Sequence, residues 1–253
     1  MLTSRQQKIL ARVETQQRVR VDDLAADFAT TPQTIRKDLQ ALEQLHHIVR
    51  FHGGATLVGG IEYTAPAQRE TTAVAAKRAI AAAVSARIPQ TCTMFLNAGT
   101  TTAQVARHLA GHHHLRVITD NVDLAAEIRG FPGLEVVVPG GAVRRSDGAI
   151  MGAEAVDYIR QFRVDFALIG AAALAEDGAL LDYDLAGVQV CRAMVAHARH
   201  IILALDCAKF GRAAPVRLGH LGDIHTLVTE AAPPDWVAGL CRTHDVELIL
   251  ADG

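Results

Sequence analysis

The chain has 253 residues, half of them hydrophobic, which is enough for one large core and a small second domain. Aromatic residues make up only 4% of the sequence, which favours close packing of helices on a sheet and argues against an aromatic platform for nucleic acids. The net charge of −2 is uneven: residues 1–57 carry eight Lys/Arg against six Asp/Glu, and the remainder carries 17 against 21. Any contact with phosphates of nucleic acid is therefore expected to be local to the N-terminal part.

The cysteines are far apart in sequence and form no Cys-x-x-Cys pair. They are Cys92, Cys191, Cys207 and Cys241. This spacing indicates reduced, buried cysteines of a cytoplasmic protein, not a disulfide framework or a zinc site. The sequence has no signal peptide and no apolar run of about 18 residues, so neither export nor membrane contact is expected. We expect a cytoplasmic protein with no metal and no cofactor.

The first 58 residues predict a small, mainly helical domain. Residues 4–16 and 22–28 form two amphipathic helices, separated by a short alternating strand at residues 18–21. A tight turn at residues 29–31 leads into a third helix. This order of helix, short strand, helix, turn and helix is typical of a helix-turn-helix motif.

The third helix has two faces of different character. Thr31 suits its N-cap and Pro32 its first helical position. At 100° per residue, Ile35, Leu39 and Leu42 share one face, and Gln33, Arg36, Lys37 and Gln40 cluster on the opposite one. Gln can pair with adenine, and Arg or Lys with guanine or phosphate, although a solvated surface helix has the same pattern. The DNA-binding candidates of this segment are Thr31, Gln33, Thr34, Arg36 and Lys37.

A β-wing is predicted after this helix. Residues 47–51 alternate like a strand, residues 52–55 form a turn, and residues 56–58 form the returning strand. Arg50 and His52 are expected to face phosphate or the minor groove of DNA. For His52 the alternative is a turn residue with no ligand.

The remainder predicts a linker and a larger α/β domain. Residues 59–72 are polar and rich in helix breakers, and residues 73–253 alternate between helices and strands. Helices are predicted at 73–88, 102–110, 122–129, 186–198 and 234–243, and strands at 93–96, 115–119, 134–138, 166–170, 201–205 and 226–229. Such alternation predicts a mostly parallel sheet covered on both faces, with ligands at the carboxyl ends of its strands.

One strand runs directly into a small Gly/Thr loop and a helix start, at residues 97–102. Backbone N–H groups, the helix dipole and hydroxyl groups suit an anion there, although a capped helix start is the simpler interpretation. Lys209 follows another strand end and can supply a full positive charge, unless it is a solvated loop residue. The effector-binding candidates are Asn97, Gly99, Thr100, Thr101, Thr119, Asn121, Gly140, Gly141, Asp184 and Lys209.

Two further groups are interpreted as structural. Residues 112–114 are three consecutive histidines, which cannot all point at one metal ion and are expected to form a polar loop. Arg144 and Arg145 could reach a phosphate, but a surface turn or a subunit contact is the favoured interpretation.

Two sequence blocks carry a resemblance to a known family. TPQTIRKDL, residues 31–39, and VRFHGGA, residues 49–55, are very similar in content and spacing to the DNA-binding signature of the DeoR family of bacterial repressors. The rest of the chain resembles the effector domain of that family, which is similar in fold to ribose-5-phosphate isomerase. The resemblance implies a winged helix-turn-helix joined to a larger α/β sensor domain.

The resemblance also implies a function. We expect a repressor of a carbohydrate or glycerol catabolic operon that binds double-stranded operator DNA as a homo-oligomer, a dimer or a tetramer. A small phosphorylated metabolite, such as glycerol 3-phosphate, would release it from DNA. The alternatives are an activator with the same parts, and a sugar-phosphate isomerase, which would need a carboxylate base near the phosphate. We expect that the protein is not an enzyme, because Gly187 stands where the family has a Glu before the long helix, and this removes the most obvious candidate for the carboxylate base.

Other positions also depart from the family pattern. Lys37 stands where a second Arg is usual, and His46 where Gly or Asn commonly ends the helix. Asn97 stands where Asp is usual, and Cys207 and Ala208 replace a hydroxyl-bearing residue before Lys209. These differences affect base preference and pocket polarity, so the identity of the effector stays open.

Overall fold

The computed structural model describes residues 2–16, 18–44, 48–51, 53–57 and 72–251, which belong to an N-terminal and a C-terminal compact unit. Apart from Thr72, the predicted linker at residues 59–72 lies outside the described residues, so the predicted domain boundaries there stay predictions.

The N-terminal unit combines helices with a small antiparallel sheet. Its helices are α1 (Ser4–Gln16), α2 (Val21–Asp27) and α3 (Pro32–Gln44), and its strands are β1 (Arg18–Arg20), β2 (Ile48–Phe51) and β3 (Gly54–Leu57). The strand order is β1-β3-β2, so the two wing strands β2 and β3 pair as predicted. Strand β1 also pairs with β3, a contact that was not predicted from the sequence. The turn is shorter than predicted, because β3 already begins at Gly54.

Apolar side chains spaced three or four residues apart bring the three helices together. The fully buried large side chains of this unit are Ile9, Leu24, Ile35, Leu39, Leu42 and Ile48. Full burial of such a side chain stabilises the fold by about 1.5–3 kcal/mol. Because all three helices contribute to this core, it fixes the direction in which the opposite face of α3 points.

The turn between α2 and α3 has the hydrogen bonds of a Schellman motif. The N–H of Thr30 donates to the carbonyl of Ala25 at 2.9 Å, and the N–H of Ala29 donates to that of Ala26 at 3.2 Å. This motif needs a left-handed residue, which is Ala29 with φ 46°. The tight turn predicted at residues 29–31 is therefore present, with alanine where glycine is favoured.

The C-terminal unit is built on a parallel sheet. Its helices are α4 (Val74–Ser85), α5 (Thr100–His108), α6 (Val122–Ile128), α7 (Ala153–Ile159), α8 (Leu185–Ala196) and α9 (Asp235–Thr243). Its strands are β4 (Cys92–Leu96), β5 (Leu115–Thr119), β6 (Leu134–Val137), β7 (Ala142–Val143), β8 (Ile150–Met151), β9 (Val164–Ile169), β10 (Ala173–Leu174), β11 (Ala179–Asp182), β12 (Ala198–Ala204), β13 (Val216–His220), β14 (Thr226–Thr229) and β15 (Glu247–Leu250). The main sheet has the order β15-β14-β12-β9-β4-β5-β6, with every pair parallel.

Helices cover both faces of this sheet. In β4, Met94 and Leu96 face a core formed with α4, α5 and α6, and Phe95 faces a second core formed with α7, α8 and α9. Strands buried on both faces need nearly continuous apolar sequences, and this is the signal that predicted them. The predicted fold class, a helix-turn-helix with a larger and mostly parallel α/β domain, is confirmed.

Several short elements were not predicted from the sequence. They are the β7–β8 hairpin, α7, the antiparallel sheet β10-β11-β13 and the edge strand β15. Each has two to seven residues, too few for hydrophobic periodicity to be recognised.

The burial of the cysteines agrees only in part with the expectation of four buried thiols. Cys191 and Cys241 are buried and free, as expected, but Cys92 and Cys207 are only partly buried. No helix in the described part of the chain is long and apolar enough to span a bilayer.

Candidate functional site

Helix α3 presents its polar face to solvent. Gln33, Arg36, Lys37 and Gln40 are exposed, and Thr34 is partly buried. Thr31 caps α3 as predicted, since its Oγ1 accepts a hydrogen bond from the N–H of Thr34 at 3.2 Å. The side chain of Arg50 and the whole of His52 lie outside the residues that the structure describes.

A buried carboxylate, which the sequence argument missed, holds α3 against α1. Asp38 is 6% exposed and accepts hydrogen bonds from Arg5 Nε at 2.5 Å and from Gln6 Nε2 at 3.3 Å. Asp38 directly follows the exposed Arg36 and Lys37, and no sequence pattern distinguished it from them. The contact couples the orientation of α3 to α1 as well as to the apolar core.

Helix α5 begins without a capping side chain, whereas α3 is capped by Thr31. Its N-cap residue is Gly99, which has no side chain that could accept a hydrogen bond from the first N–H groups of the helix. In the described residues, the hydroxyls of Thr101 and of Thr119, at the end of β5, are buried with no hydrogen-bond partner. Buried hydroxyls without partners are uncommon, and this pair favours a polar ligand between the strand ends and the helix.

Contacts between neighbouring strand ends bring most of the predicted candidates to one edge of the sheet. Asn97 Oδ1 accepts from the N–H of Gly170 at 3.0 Å, which ties the end of β4 to the end of β9. Lys209 Nζ donates to the carbonyl of Ala171 at 2.9 Å, so its charge lies beside the end of β9. Thr100 is partly buried at the start of α5.

Several of the candidates hold parts of the protein together through their own hydrogen bonds. Asn121 caps α6, with Oδ1 2.8 Å from the N–H of Leu124. Asp184 caps α8 through the N–H groups of Ala186 and Gly187. The amide of Asn97 is buried between Gly170 and Cys191. These side chains shape the loops, whether or not a ligand also contacts them.

The loop that contains Gly140 and Gly141 leads into the β7–β8 hairpin. Both glycines are exposed, and Gly141 has φ +145°. A Cβ at position 141 would lie 2.6 Å from the carbonyl oxygen of Met151, so the hairpin requires glycine there.

Arg144 lies in this hairpin and was expected to be a surface turn residue or a subunit contact. It lies at the turn, and it donates to Asp184 Oδ2 at 2.6 Å and to both carboxylate oxygens of Asp147 at 2.7 Å. Its guanidinium therefore joins the hairpin to the start of α8. No sequence pattern signals this contact, because residues 144 and 184 are brought together only by the fold.

Asp120 lies at the same strand ends but was not among the predicted effector-binding residues. It is 3% exposed, and its Oδ1 accepts from the N–H of Ala98 at 2.5 Å. Burial raises the pKa of Asp120 from 3.8 to about 7, against the lowering effects of the Ala98 hydrogen bond and Arg144. Its position directly after Thr119 and before Asn121, both predicted candidates, was the available signal.

The opposite edge of the sheet has a cavity of about 710 Å³. Cys92, His113, His114, Arg116 and Asp165 are among its lining residues, and none of the predicted site residues is. His112, expected in a polar loop, is buried with Nε2 3.1 Å from the carbonyl oxygen of Ile88. No group of three or more His, Cys, Asp or Glu that could hold a metal occurs in the described ranges.

Comparison with known families agrees with this two-part architecture. The model of the DeoR-like helix-turn-helix domain matches residues 5–59, and the model of the DeoR C-terminal sensor domain matches residues 72–231. Glycerol-3-phosphate regulon repressors of Escherichia coli and Haemophilus influenzae are 36% and 38% identical to this chain. The first alignment covers 98% of both chains, and the second covers 98% of this chain and 97% of its relative.

The fold, the exposed helix and these relatives define a helix-turn-helix transcriptional repressor with a sensor domain. The chain belongs to the DeoR family, as its two sequence blocks predicted. Its relatives are named as repressors, which supports the expectation of a regulator and not an enzyme. Similar solved structures include ribose 5 phosphate isomerase A from Neisseria gonorrhoeae, 10% identical with a TM-score of 0.40 over 53% of this chain and 52% of that chain.

Proposed function

We propose that this repressor controls a carbohydrate or glycerol catabolic operon and is released from its operator by a small phosphorylated metabolite such as glycerol 3-phosphate. The observation that carries the effector proposal is the uncapped start of α5 beside the unpartnered hydroxyls of Thr101 and Thr119. A phosphate group offers acceptor oxygens to both hydroxyls and to the N–H groups of the helix. Its charge is also favoured by the helix dipole.

Positive charge near this helix start supports a phosphate over a neutral ligand. Lys209 is 18% exposed and lies beside the end of β9, 3.9 Å from Asp206. These contacts hold its ammonium in place at the end of β9. In the proposed site, the N-terminal turn of α5, Lys209 and the two hydroxyls would donate to the oxygens of one phosphate.

For operator DNA, the proposal rests on the exposed face of α3. Gln33 and Lys37 lie one turn apart near its start, the part of a recognition helix that contacts base edges, and Arg36 would contact base or phosphate. Arg50 and His52 would contact phosphate or the minor groove from the wing. One such unit contacts few bases, so we propose a dimer or tetramer on half-sites separated by about 10 base pairs or a multiple of that.

Release would follow from a shift in population. The effector would bind better to an arrangement of the oligomer whose recognition helices do not match the half-sites, and would stabilise it by that difference in affinity. A coupling of about 1–3 kcal/mol corresponds to roughly 5- to 150-fold weaker operator binding.

The test is fluorescence anisotropy with labelled DNA from the region upstream of the protein's own gene, at fixed salt. The complex is titrated with glycerol 3-phosphate, fructose 6-phosphate, inorganic phosphate and, as an uncharged control, glycerol. Specific binding that a phosphate ester reverses and glycerol does not would support the proposal. Specific binding that no phosphate reverses would overturn the effector assignment and leave the DNA assignment in place.

Thr101→Val tests the anion site without breaking a known hydrogen bond of the protein, since the Thr101 hydroxyl has none among the described residues. We expect operator binding to persist and the effector concentration for half-release to rise about 10-fold, as for the loss of a hydrogen bond to a charged group. Thr91→Val, at an exposed position before β4, is the matched control and should behave as the wild type.

A further inference from the structure

The proposed effector site contains a buried carboxyl group where an anion is expected. Asp120 follows β5 and accepts a hydrogen bond from the N–H of Ala98, in the loop that begins α5. Its backbone carbonyl accepts from the N–H of Ile150 at 2.6 Å, so β8 and the end of β5 hold it in place. An ionised carboxylate at this position would repel a phosphate at the helix start.

The groups that face Asp120 do not neutralise it fully. Arg144 is the cation that acts on it, but the guanidinium is hydrogen-bonded to Asp147 and Asp184. Asp147 itself acts on Asp120 as a like charge. From α8, Cys191 faces it with a thiol that stays protonated, because burial raises the pKa of Cys191 well above 9.0. Asp182, of β11, is a further carboxylate near Cys191.

We propose that Asp120 receives the phosphate of the effector as a neutral carboxylic acid, so that effector binding takes up a proton. The proton comes from solvent, binds to a carboxylate oxygen of Asp120 and can be donated in a hydrogen bond to a phosphate oxygen; no other bond is made or broken. A phosphate ester adds a charge of about −1.5 to −2 near neutral pH, and a like charge favours the protonated form of a neighbouring carboxyl group. This inference rests on the proposed function.

The fold gives a reason for the protonation to occur near neutral pH. Burial raises the pKa of Asp120 to about 7, so the group is near half-protonation before the effector arrives. With the effector bound, that pKa would rise further. Effector affinity is then greatest at low pH and falls as pH rises above 7, by at most about tenfold per pH unit for one linked proton.

The test is isothermal titration calorimetry of the full chain with glycerol 3-phosphate and with inorganic phosphate at pH 6, 7 and 8. Each titration is repeated in two buffers of different ionisation enthalpy, which gives the number of protons taken up. We expect uptake of about half a proton per site at pH 7 and more at pH 8. At pH 8 the ligands are almost fully dianionic, so their own ionisation contributes little there.

Asp120→Asn keeps the shape and the acceptor for Ala98 but cannot titrate, so it should bind effector without that uptake. Asp123→Asn, which removes an exposed carboxylate three residues away, should keep the wild-type uptake. Phosphate binding by the wild type with no more uptake than by Asp120→Asn would overturn this inference and leave the proposed function intact. Binding of no phosphate at any pH would overturn both. If Asp120→Asn does not fold, the wild-type uptake at pH 8 decides.

Discussion

Helices α3 and α5 both begin at a proposed ligand contact, but their first turns are satisfied differently. At α3, the hydroxyl of Thr31 accepts from the N–H of Thr34, and the polar side chains of the outer face stay exposed. At α5, Gly99 provides no capping group, and the hydroxyl of Thr101 is buried without a partner among the described residues. A capped helix offers its side chains to a ligand, whereas an uncapped one offers its main-chain N–H groups and its dipole.

This contrast explains why one structural element suits two kinds of partner. The base edges of DNA differ in their donors and acceptors, and only varied side chains such as Gln33 and Lys37 can distinguish them. A phosphate group has equivalent acceptor oxygens, which identical N–H groups satisfy. Asp120 is an exception to this contrast, because it places the carboxyl group of a side chain beside the uncapped start of α5. Its protonation state therefore decides whether that site can accept a phosphate.

The largest effect is expected from Asp120→Asn on the pH dependence of stability. The pKa of Asp120 is raised from 3.8 to about 7 in the folded protein, so the wild type loses stability as pH rises between these values. Between pH 4.5 and 8 the loss should reach on the order of 3 kcal/mol relative to the variant, which has no titrating group there. Urea unfolding of both proteins from pH 4.5 to 8 measures it, and parallel pH curves would contradict the raised pKa.

Removal of an outward side chain of α3 should weaken DNA binding specifically. For Lys37→Ala or Arg36→Ala we expect roughly 10- to 100-fold weaker operator binding at fixed salt, because each contact to a base contributes about 1–3 kcal/mol. A residue that contacts only phosphate should instead lower the slope of log affinity against log salt by about one.

Effector affinity, measured by calorimetry, should be nearly unchanged in both α3 variants. Arg129→Ala, which removes an exposed charge of the C-terminal unit, is the control for net charge. Equal loss of DNA and effector binding in every variant would show that the two activities are not separable as proposed.

Loss of the cap of α3 should have a smaller effect. Thr31→Ala removes the acceptor for the N–H of Thr34, at 3.2 Å, and a hydroxyl contact to Thr34 Oγ1 at 2.9 Å. We expect it to lower the free energy of unfolding by about 1 kcal/mol, as for other N-cap residues. Thermal unfolding measures the change. A Thr31→Ala variant as stable as the wild type would show that the cap does not stabilise α3, and would contradict the contrast drawn between α3 and α5.

The smallest effect, and of opposite sign, is expected at the turn before α3. Ala29→Gly relieves the left-handed conformation at φ 46° and should stabilise the protein by roughly 0.5–1 kcal/mol, after the greater flexibility of glycine in the unfolded chain is included. Ala26→Gly, at an exposed helical position of α2, should destabilise it by about 0.5–1 kcal/mol. Two changes of the same sign, measured by thermal unfolding, would contradict the conformational argument.

Long or strongly patterned segments were predicted well from the sequence. Strand β5 occupies the predicted residues 115–119, and α1 ends at the predicted Gln16, because each has a clear hydrophobic period. The start of α1 differs by one residue, since Thr3 and not Ser4 accepts the capping hydrogen bond, from the N–H of Gln6. Strand β15 and helix α7 were missed, because their few residues are held mainly by the sheet and helices around them. Helix α8 was predicted at residues 186–198 and is observed at Leu185–Ala196.

The sequence alone determined the two-part architecture, the outward face of α3 and the strand ends that carry Asn97, Thr119 and Lys209. Local periodicity and the order of strands and helices specify these features, since parallel strands place their carboxyl ends at one edge of a sheet. Only the tertiary structure decided that Arg144 reaches Asp184, and that Asp120 is buried against Ala98. Charge pairing and burial depend on distances between segments far apart in the chain, and these distances exist only after the sheet and its loops have assembled.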